Sequence, residues 1–323
     1  RLLTGIGVGG IYPITFSLLS DYVSEKHRAK ACAGVDMAWG LGMLSGPLLA
    51  GIALQTDYGW RLAYILAAVP SFPLVALYAW VAREPERGAS EAGHRQGLNQ
   101  TAFGLGDFKY VFSNRTNILL FLQGIPGSVP WGVLPFWIIT FFREARGFEI
   151  SQATSIWELF GIATIVGGLL WATLGDWLFN KRPAYTAMLC TTVIALGMIP
   201  IYLLLNVVWP DFTHYMVLVV IGGLLISVAG ANVRALLMNV NTPNHRGSVF
   251  AVYNFADNIG KGTGPALGGL ILATASDYQL MVNLAVSCWV LCVLFFAGVI
   301  FTVEEDRRQM LETQKAQESG AAV

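Results

Sequence analysis

The chain has 323 residues, of which 55% are hydrophobic and only 12% charged, and its mean hydropathy is +0.57. A soluble domain carries about 25% charged residues, so this chain has too little charge to coat a water-facing surface. Twenty basic residues balance twenty acidic ones, which leaves no electrostatic footprint for nucleic acid, and so apolar a chain is not extended and disordered. What remains is an integral, multi-pass membrane protein whose first partner is the lipid bilayer.

A membrane-crossing helix needs about 20 mostly apolar residues. Nine runs meet that condition: Leu2–Ser20, Ala29–Leu54, Trp60–Ala82, Asn117–Phe142, Ile150–Gly175, Ala184–Val208, Tyr215–Asn239, Ser248–Ala273 and Gln279–Val303. Their length and continuity exclude the alternating segments of about ten residues that make a transmembrane barrel, so the fold class is all-α. The first run begins at Arg1 with no cleavable signal pattern, and the chain is expected to start inside a longer protein. Four cysteines (Cys32, Cys190, Cys288 and Cys292) lie within the runs with no His or carboxylate spaced to complete a metal set. They read as small buried hydrophobes.

Short loops rich in Lys and Arg mark the cytoplasmic side. Fourteen basic residues fall on the side that carries Lys26, Arg28 and Lys30, against Arg61, Arg143 and Arg146 on the other. The polar stretch 83–116 is therefore a cytoplasmic linker. Its segment Gly106–Ser113 mixes aromatic and charged residues as an interfacial helix does. Asn99 and Asn114 fit the glycosylation pattern but stand on the wrong side for it. Residues 304–323 form a charged cytoplasmic tail, expected to be a solvated helix.

Self-similarity then organises the spans. Shifted by 218 residues, His27–Leu54 falls on His245–Leu272 with ten identities in 28, where composition predicts roughly two. Gly42, Gly46 and Pro47 coincide with Gly260, Gly264 and Pro265. The first three spans thus repeat as the last three, while the middle three have no counterpart within the chain. Two six-helix halves lacking three N-terminal helices account for this, with 1–82 as a partial N-terminal half and 117–303 as a six-helix C-terminal half.

Two such halves, related by an axis along the membrane normal, resemble the major facilitator superfamily. Arg1-x3-Gly5-x-Gly7 resembles the family's fourth-helix motif. The Gly42/Gly46-Pro47 and Gly260/Gly264-Pro265 motifs resemble its fifth and eleventh helices, and Gly175-Asp176 followed by Lys181-Arg182 its eighth-to-ninth-helix loop. The resemblance covers Arg1 to Val303 as helices four to twelve of twelve. The fourth-helix motif and Glu84–Glu91 are also similar to the Spinster-like family, whose members export lysolipids and sphingoid phosphates, although Val8 stands where that family has Glu. The resemblance implies a secondary transporter, with Arg1 lining a central cavity and Asp176, Lys181 and Arg182 latching the ends of first-half helices near Arg28.

Ionisable groups within spans are costly, about 2.5–3.5 kcal/mol at mid-helix, and face a cavity or a partner. They are Arg1, Asp36, Glu158, Arg234, Asp257 and Lys261. Asp257 and Lys261, four apart, share a helix face and read as a water-facing site or as a self-neutralising pair. Arg234 near its helix end reads as cavity-facing or as snorkelling, and Glu158 as a coupling group or an inter-helix hydrogen bond. Asp36 is shallow on the cytoplasmic side. The fourth span carries Pro126, Pro130 and Pro135 and reads as a bending gate that presents Gln123 and Trp131, or as a static kink. The glycine motifs let helices approach closely.

The substrate expected for this set is a small organic anion or an anionic amphiphilic lipid. Arg234 and Lys261 would attract its charge, and Trp131, Tyr12 and Tyr253 would offer amphipathic surface. A coupling proton or sodium ion is left open. A membrane-embedded transferase would need His, Asp or Cys grouped at one interface, whereas His27, His94, His214 and His245 sit in or beside loops. No catalytic residue, cofactor or metal is expected, and a non-transporting receptor or scaffold stays open.

Overall fold

The structure, a computed structural model, describes residues 9–54, 56–83, 85 and 105–318. Arg1, the Gly5-x-Gly7 motif, most of the linker with Asn99, and residues 319–323 lie outside the described residues, as does the side chain of Pro47. Twelve helices follow in order: α1 Ile11–Tyr22, α2 Arg28–Leu54, α3 Trp60–Ala68, α4 Ser71–Val81, α5 Leu105–Ser113, α6 Arg115–Glu144, α7 Ile150–Lys181, α8 Pro183–Asn206, α9 Phe212–Ile226, α10 Ala229–Asn239, α11 Arg246–Ala275 and α12 Tyr278–Glu318. Each of the nine apolar runs, the first in its described part alone, is matched by one helix or by a closely joined pair.

Two runs are broken where a single helix is expected. The Trp60–Ala82 run divides into α3 and α4 at Pro70, whose ring has no N–H to donate and clashes with the preceding turn. The Tyr215–Asn239 run divides into α9 and α10 at Ser227-Val228 without a proline. Interior backbone in lipid must be satisfied by protein, and here side chains do it. The Leu224 carbonyl accepts from Trp171 Nε1 at 2.6 Å and Ser227 Oγ at 2.9 Å, and the Val228 carbonyl accepts from Asn232 Nδ2 at 2.8 Å. By contrast α6 runs unbroken from Arg115 to Glu144 through Pro126, Pro130 and Pro135. It starts on Asn114, whose side chain accepts the Asn117 N–H as an N-cap. The tail belongs to α12, which continues to Glu318.

The repeat is visible in the backbone. A shift of 218 residues carries the starts of α1, α2 and α3 (Ile11, Arg28 and Trp60) onto those of α10, α11 and α12 (Ala229, Arg246 and Tyr278). The 3₁₀ turn Glu25–His27 maps onto Pro243–His245. Hydrogen bonds repeat too: His27 N donates to the Ser24 carbonyl at 3.0 Å and His245 N to the Thr242 carbonyl at 3.1 Å. Arg28 Nη2 reaches the Ser20 carbonyl as Arg246 Nε reaches that of Met238.

Within the C-terminal group, α6 packs on both α11 and α12, and α8 packs on α12. Glycines make the α6–α11 seam possible. A Cβ on Gly260 would lie 2.2 Å from the Ile125 carbonyl oxygen, one on Gly264 2.9 Å from that of Val129, and one on Gly132 2.3 Å from that of Lys261. Gly42 and Gly46, the repeat partners of Gly260 and Gly264, meet nothing within 4 Å among the described residues. The N-terminal group meets the C-terminal group where α2 packs on α7 and α10, and where α1 packs on α11.

Gly260→Ala should therefore force α6 and α11 apart and lower stability by about 1–3 kcal/mol. Gly262→Ala, whose Cβ meets open space, should change it by less than about 0.5 kcal/mol. Thermal unfolding of the two purified variants in detergent separates these outcomes; equal midpoints would contradict the seam.

Candidate functional site

On α10, beyond the break that ends α9, Arg234 faces the N-terminal helices. Its Nη1 pairs with Asp36 Oδ2 of α2 across 198 residues of sequence. The guanidinium carbon lies 4.6 Å from the Phe16 ring centroid and 5.9 Å from that of Tyr12, both on α1, so the cation rests against aromatic faces. Only 13% of the Arg234 side chain is exposed, against 33% for Asp36. Gly230 leaves the room for this pair, since a Cβ there would sit 3.3 Å from Asp36 Oδ2. Tyr253 and Asp257 of α11 lie within electrostatic reach of Arg234.

On α11, Lys261 Nζ donates to Asp257 Oδ2 at 2.6 Å. The second oxygen of Asp257 accepts from Ser128 Oγ of α6. Lys261 also faces the Trp39 ring of α2 at 5.9 Å. The pair thus lies where α11 faces Ser128 of α6 and Trp39 of α2, with Lys261 partly exposed. Tyr12, Arg234, Tyr253, Asp257 and Lys261 are brought into one neighbourhood. Sequence reasoning did not assign Asp36, Ser128, Phe16 and Trp39 to it. An in-span carboxylate marked Asp36, but nothing local marked its partner.

Other candidates stand elsewhere. Gln123 is buried inside the C-terminal group, where its Oε1 accepts from Cys292 Sγ at 3.2 Å. Trp131 packs there against Phe160 and Trp289. Neither residue reaches the seam. Glu158 is exposed on α7 with no hydrogen-bond or ionic partner among the described residues. A groove of about 720 Å³ runs between α8 and α12, lined in part by Met198, Tyr202, Asn206 and Asn283, away from these charges.

On the basic side the two groups are tied together by polar contacts. Asp176 of α7 accepts from the backbone N–H groups of Ala29 and Lys30, both at 3.0 Å, so its carboxylate occupies the N-terminus of α2. Arg28, 1% exposed, donates through Nη1 to Asn239 Oδ1 at 2.5 Å. Arg307 of α12 pairs with Glu25 at 2.6 Å and lies over the Phe179 ring. Lys181 and Arg182 take no part in this closure. Lys181 sits over Trp177 at 3.5 Å, and Arg182 donates to Glu304 at 2.5 Å.

Known proteins place the chain. The family model described as "Major Facilitator Superfamily" matches residues 1–211. A gentisate transporter of Corynebacterium glutamicum is 25% identical over 84% of this chain and 60% of its own length. A cis,cis-muconate transport protein of Acinetobacter baylyi is 25% identical over 85% of this chain and 65% of its own. Protein spinster homolog 1 of Xenopus tropicalis is 25% identical over 96% and 63%. The chain therefore spans less than two thirds of the length of these relatives. Among solved structures, the Escherichia coli fucose:proton symporter superposes with a TM-score of 0.64 at 12% identity, over 90% of this chain and 73% of that one. The last of these shows the fold alone, while the family match covers well over half of the sequence. The chain belongs to the Major Facilitator Superfamily.

Proposed function

We propose that this chain supplies helices four to twelve of a secondary transporter that moves a small organic anion by alternating access. The observation that carries the reading is the pair of cations at the seam, Arg234 and Lys261, each opposed by one carboxylate and flanked by aromatic rings. Isolated charges inside a bundle mark substrate or ion pathways, and transporters of this architecture bind substrate between their halves near mid-membrane. The two pairs leave the site neutral at rest and give an incoming anion two cations to bind. Gentisate and muconate, named for two of the relatives, are both carboxylates. An anionic lysolipid-like amphiphile presents the same charge, and the spinster homologue keeps it among the substrates to test. Coupling to a proton or a sodium ion belongs to this reading. No covalent step does, which distinguishes it from a transferase.

The contacts on the basic side give the reading its conformational half. Asp176 at the N-terminus of α2, Arg28 with Asn239, and Glu25 with Arg307 all join the N-terminal group to the C-terminal one. We read them as a latch that holds the cytoplasmic side shut, with Asp176 at its centre. Arg182, which bonds to Glu304 within the C-terminal group, stabilises the latch only through α12.

Two experiments test this reading. In the full-length protein reconstituted in liposomes, Lys261→Ala should weaken gentisate binding about two- to fivefold, since Lys261 is partly exposed and such a charge contributes about 0.5–1 kcal/mol. The amount of protein in the membrane should be unchanged. Unaltered affinity would remove Lys261 from the site, and absence of binding or uptake of any anion or lysolipid by the wild type would favour a receptor or scaffold. For the latch, Cys32 on α2 is fully buried behind Asp176 and serves as a reporter in a background lacking the other cysteines. Asp176→Ala should raise its rate of maleimide labelling about tenfold, as a loss of about 1.4 kcal/mol from the closed state would. An unchanged rate would show that Asp176 does not hold the side closed.

A further inference from the structure

The groove between α8 and α12 has no part in the charged seam, and it shares no lining residue with it. Its volume of about 720 Å³ lies in the range of ligand sites, about 300–1,000 Å³. Both helices pack on each other and on helices of the C-terminal group. Ile199, Val290 and Leu294 on the walls stay exposed, and among the described residues nothing covers the opening. The groove therefore opens onto the bilayer.

Its polarity changes with depth. Helix α8 leaves the basic side at Pro183 and ends at Asn206, and α12 returns from Tyr278, so Asn206 and Asn283 stand toward the side opposite the basic loops. Their amides bond reciprocally, Asn206 Nδ2 to Asn283 Oδ1 at 2.9 Å and Asn283 Nδ2 to Asn206 Oδ1 at 2.8 Å, which sets the two helices at one level. A turn further in, the Tyr202 and Ser287 hydroxyls share a bond of 2.5 Å. Beyond them the lining is apolar down to Ala195 on α8 and Leu294 on α12. Each wall spans eleven residues from its asparagine, about 16 Å of helix. One leaflet is half of a hydrocarbon core of about 30 Å, or about 15 Å. The groove is thus one leaflet deep. At its polar end Trp209, which donates through Nε1 to the Leu203 carbonyl at 3.3 Å, is an aromatic of the kind that marks the headgroup level.

The same end carries a cation. Arg146, in the turn between α6 and α7, donates through Nη2 to the Leu205 carbonyl and to Gln279 Oε1 at 3.0 Å, and Gln279 Nε2 continues to Asn206 Oδ1 at 3.1 Å. Among the described residues no carboxylate pairs with Arg146 and its Nη1 makes no hydrogen bond. The neighbouring Glu149 is engaged in capping α7. The cations of the seam each face a carboxylate, whereas this one lacks a counter-charge. A guanidinium at headgroup level binds phosphate oxygens well, and an apolar slot one leaflet deep takes an acyl chain. A soluble carboxylate would satisfy the first and leave the walls bare, and a neutral lipid would do the reverse.

We propose that the α8–α12 groove binds one glycerophospholipid of the leaflet opposite the basic side, with an acyl chain along Ile199, Val290 and Leu294 and its phosphate at Arg146. Contact through Nη1 leaves the bonds of Nη2 to Leu205 and Gln279 in place. The lipid fills the space that the side chains of α8 and α12 leave open and joins the two helices. It is a resident of the C-terminal group and not cargo, so the inference stands whichever solute crosses at the seam.

The test uses the purified full-length protein, stripped of lipid in detergent, with phosphatidylglycerol and diacylglycerol of identical chains as probes and native mass spectrometry as the readout. The wild type should hold one phosphatidylglycerol about tenfold or more tighter than diacylglycerol. Leu294→Trp and Ile199→Trp fill the groove from opposite walls at exposed positions and should each weaken phosphatidylglycerol binding about tenfold. Phe301→Trp, exposed on α12 outside the groove, should leave it unchanged. Arg146→Gln should bring the two lipids within about twofold of each other. Equal binding of both lipids by the wild type, or wild-type retention of phosphatidylglycerol by the two groove-filling variants, overturns the proposal. Displacement of the lipid by gentisate overturns it as well, by placing the groove on the path of the cargo. A lipid-free dimer that Leu294→Trp disperses assigns the groove to a second copy of the chain instead. If Arg146→Gln does not fold, the wild-type comparison of the two lipids decides the role of the phosphate.

Discussion

A charge held away from water inside a bundle of helices must find its partner within that bundle, and the seam between the two helix groups is arranged around this requirement. Arg28 and Arg246 are almost wholly buried, and each directs its guanidinium at the C-terminal carbonyls of the helix before it, the Ser20 and Met238 carbonyls. A helix C-terminus presents unsatisfied carbonyls and the negative end of its dipole, so an arginine there satisfies both. Arg28 then extends to Asn239 of the opposite group. The repeated turn and arginine thus do local and long-range work together: they end one helix, start the next, and supply a donor that joins the groups.

Close packing depends on the same economy of space. In lipid, helices gain little from apolar contact with one another, since the surrounding chains are equally apolar, and association relies on close approach and hydrogen bonding. The glycines of α11 bring its backbone against α6, and Gly167 and Gly175 do the same for α7. A Cβ on Gly167 would lie 2.4 Å from the Leu224 carbonyl oxygen, and one on Gly175 1.8 Å from Asn232 Oδ1. Gly167 leaves room for α7 to touch the end of α9 where the backbone breaks, and Arg234 lies on α10 just beyond that break.

The internal repeat gives two copies of a scaffold with different contents. Asp36 corresponds to Asn254, Phe16 to Arg234 and Trp39 to Asp257 under the 218-residue shift. Equivalent backbone positions therefore carry a charge on one side and an aromatic or amide group on the other. Where the groups meet, Arg234 rests on Phe16, its own repeat partner, and Lys261 faces Trp39, the repeat partner of Asp257. Pseudo-symmetry brings such positions together across the axis, and their divergence makes the contacts complementary where identical residues would repel.

Much of this was legible before any coordinates. Composition settles the solvent, run length marks the helical stretches though not the breaks within two of them, and the 218-residue shift predicts the register at which α1 to α3 recur as α10 to α12. The Asp257–Lys261 contact also follows from sequence, because four residues on a helix always share a face. The break at Ser227 was not legible, since no proline or glycine marks it and its freed carbonyls are satisfied by Trp171 and Asn232 from elsewhere in the chain or helix. Nor was the burial of Gln123 against Cys292, the engagement of Asp176 with the start of α2, or the pairing of Asp36 with Arg234. A membrane helix is apolar on every side, so its pattern does not distinguish the face that meets lipid from the face that meets protein. Only the rotation and tilt of neighbouring helices decide which of its few polar groups meet, and those are set by packing between residues far apart in the chain.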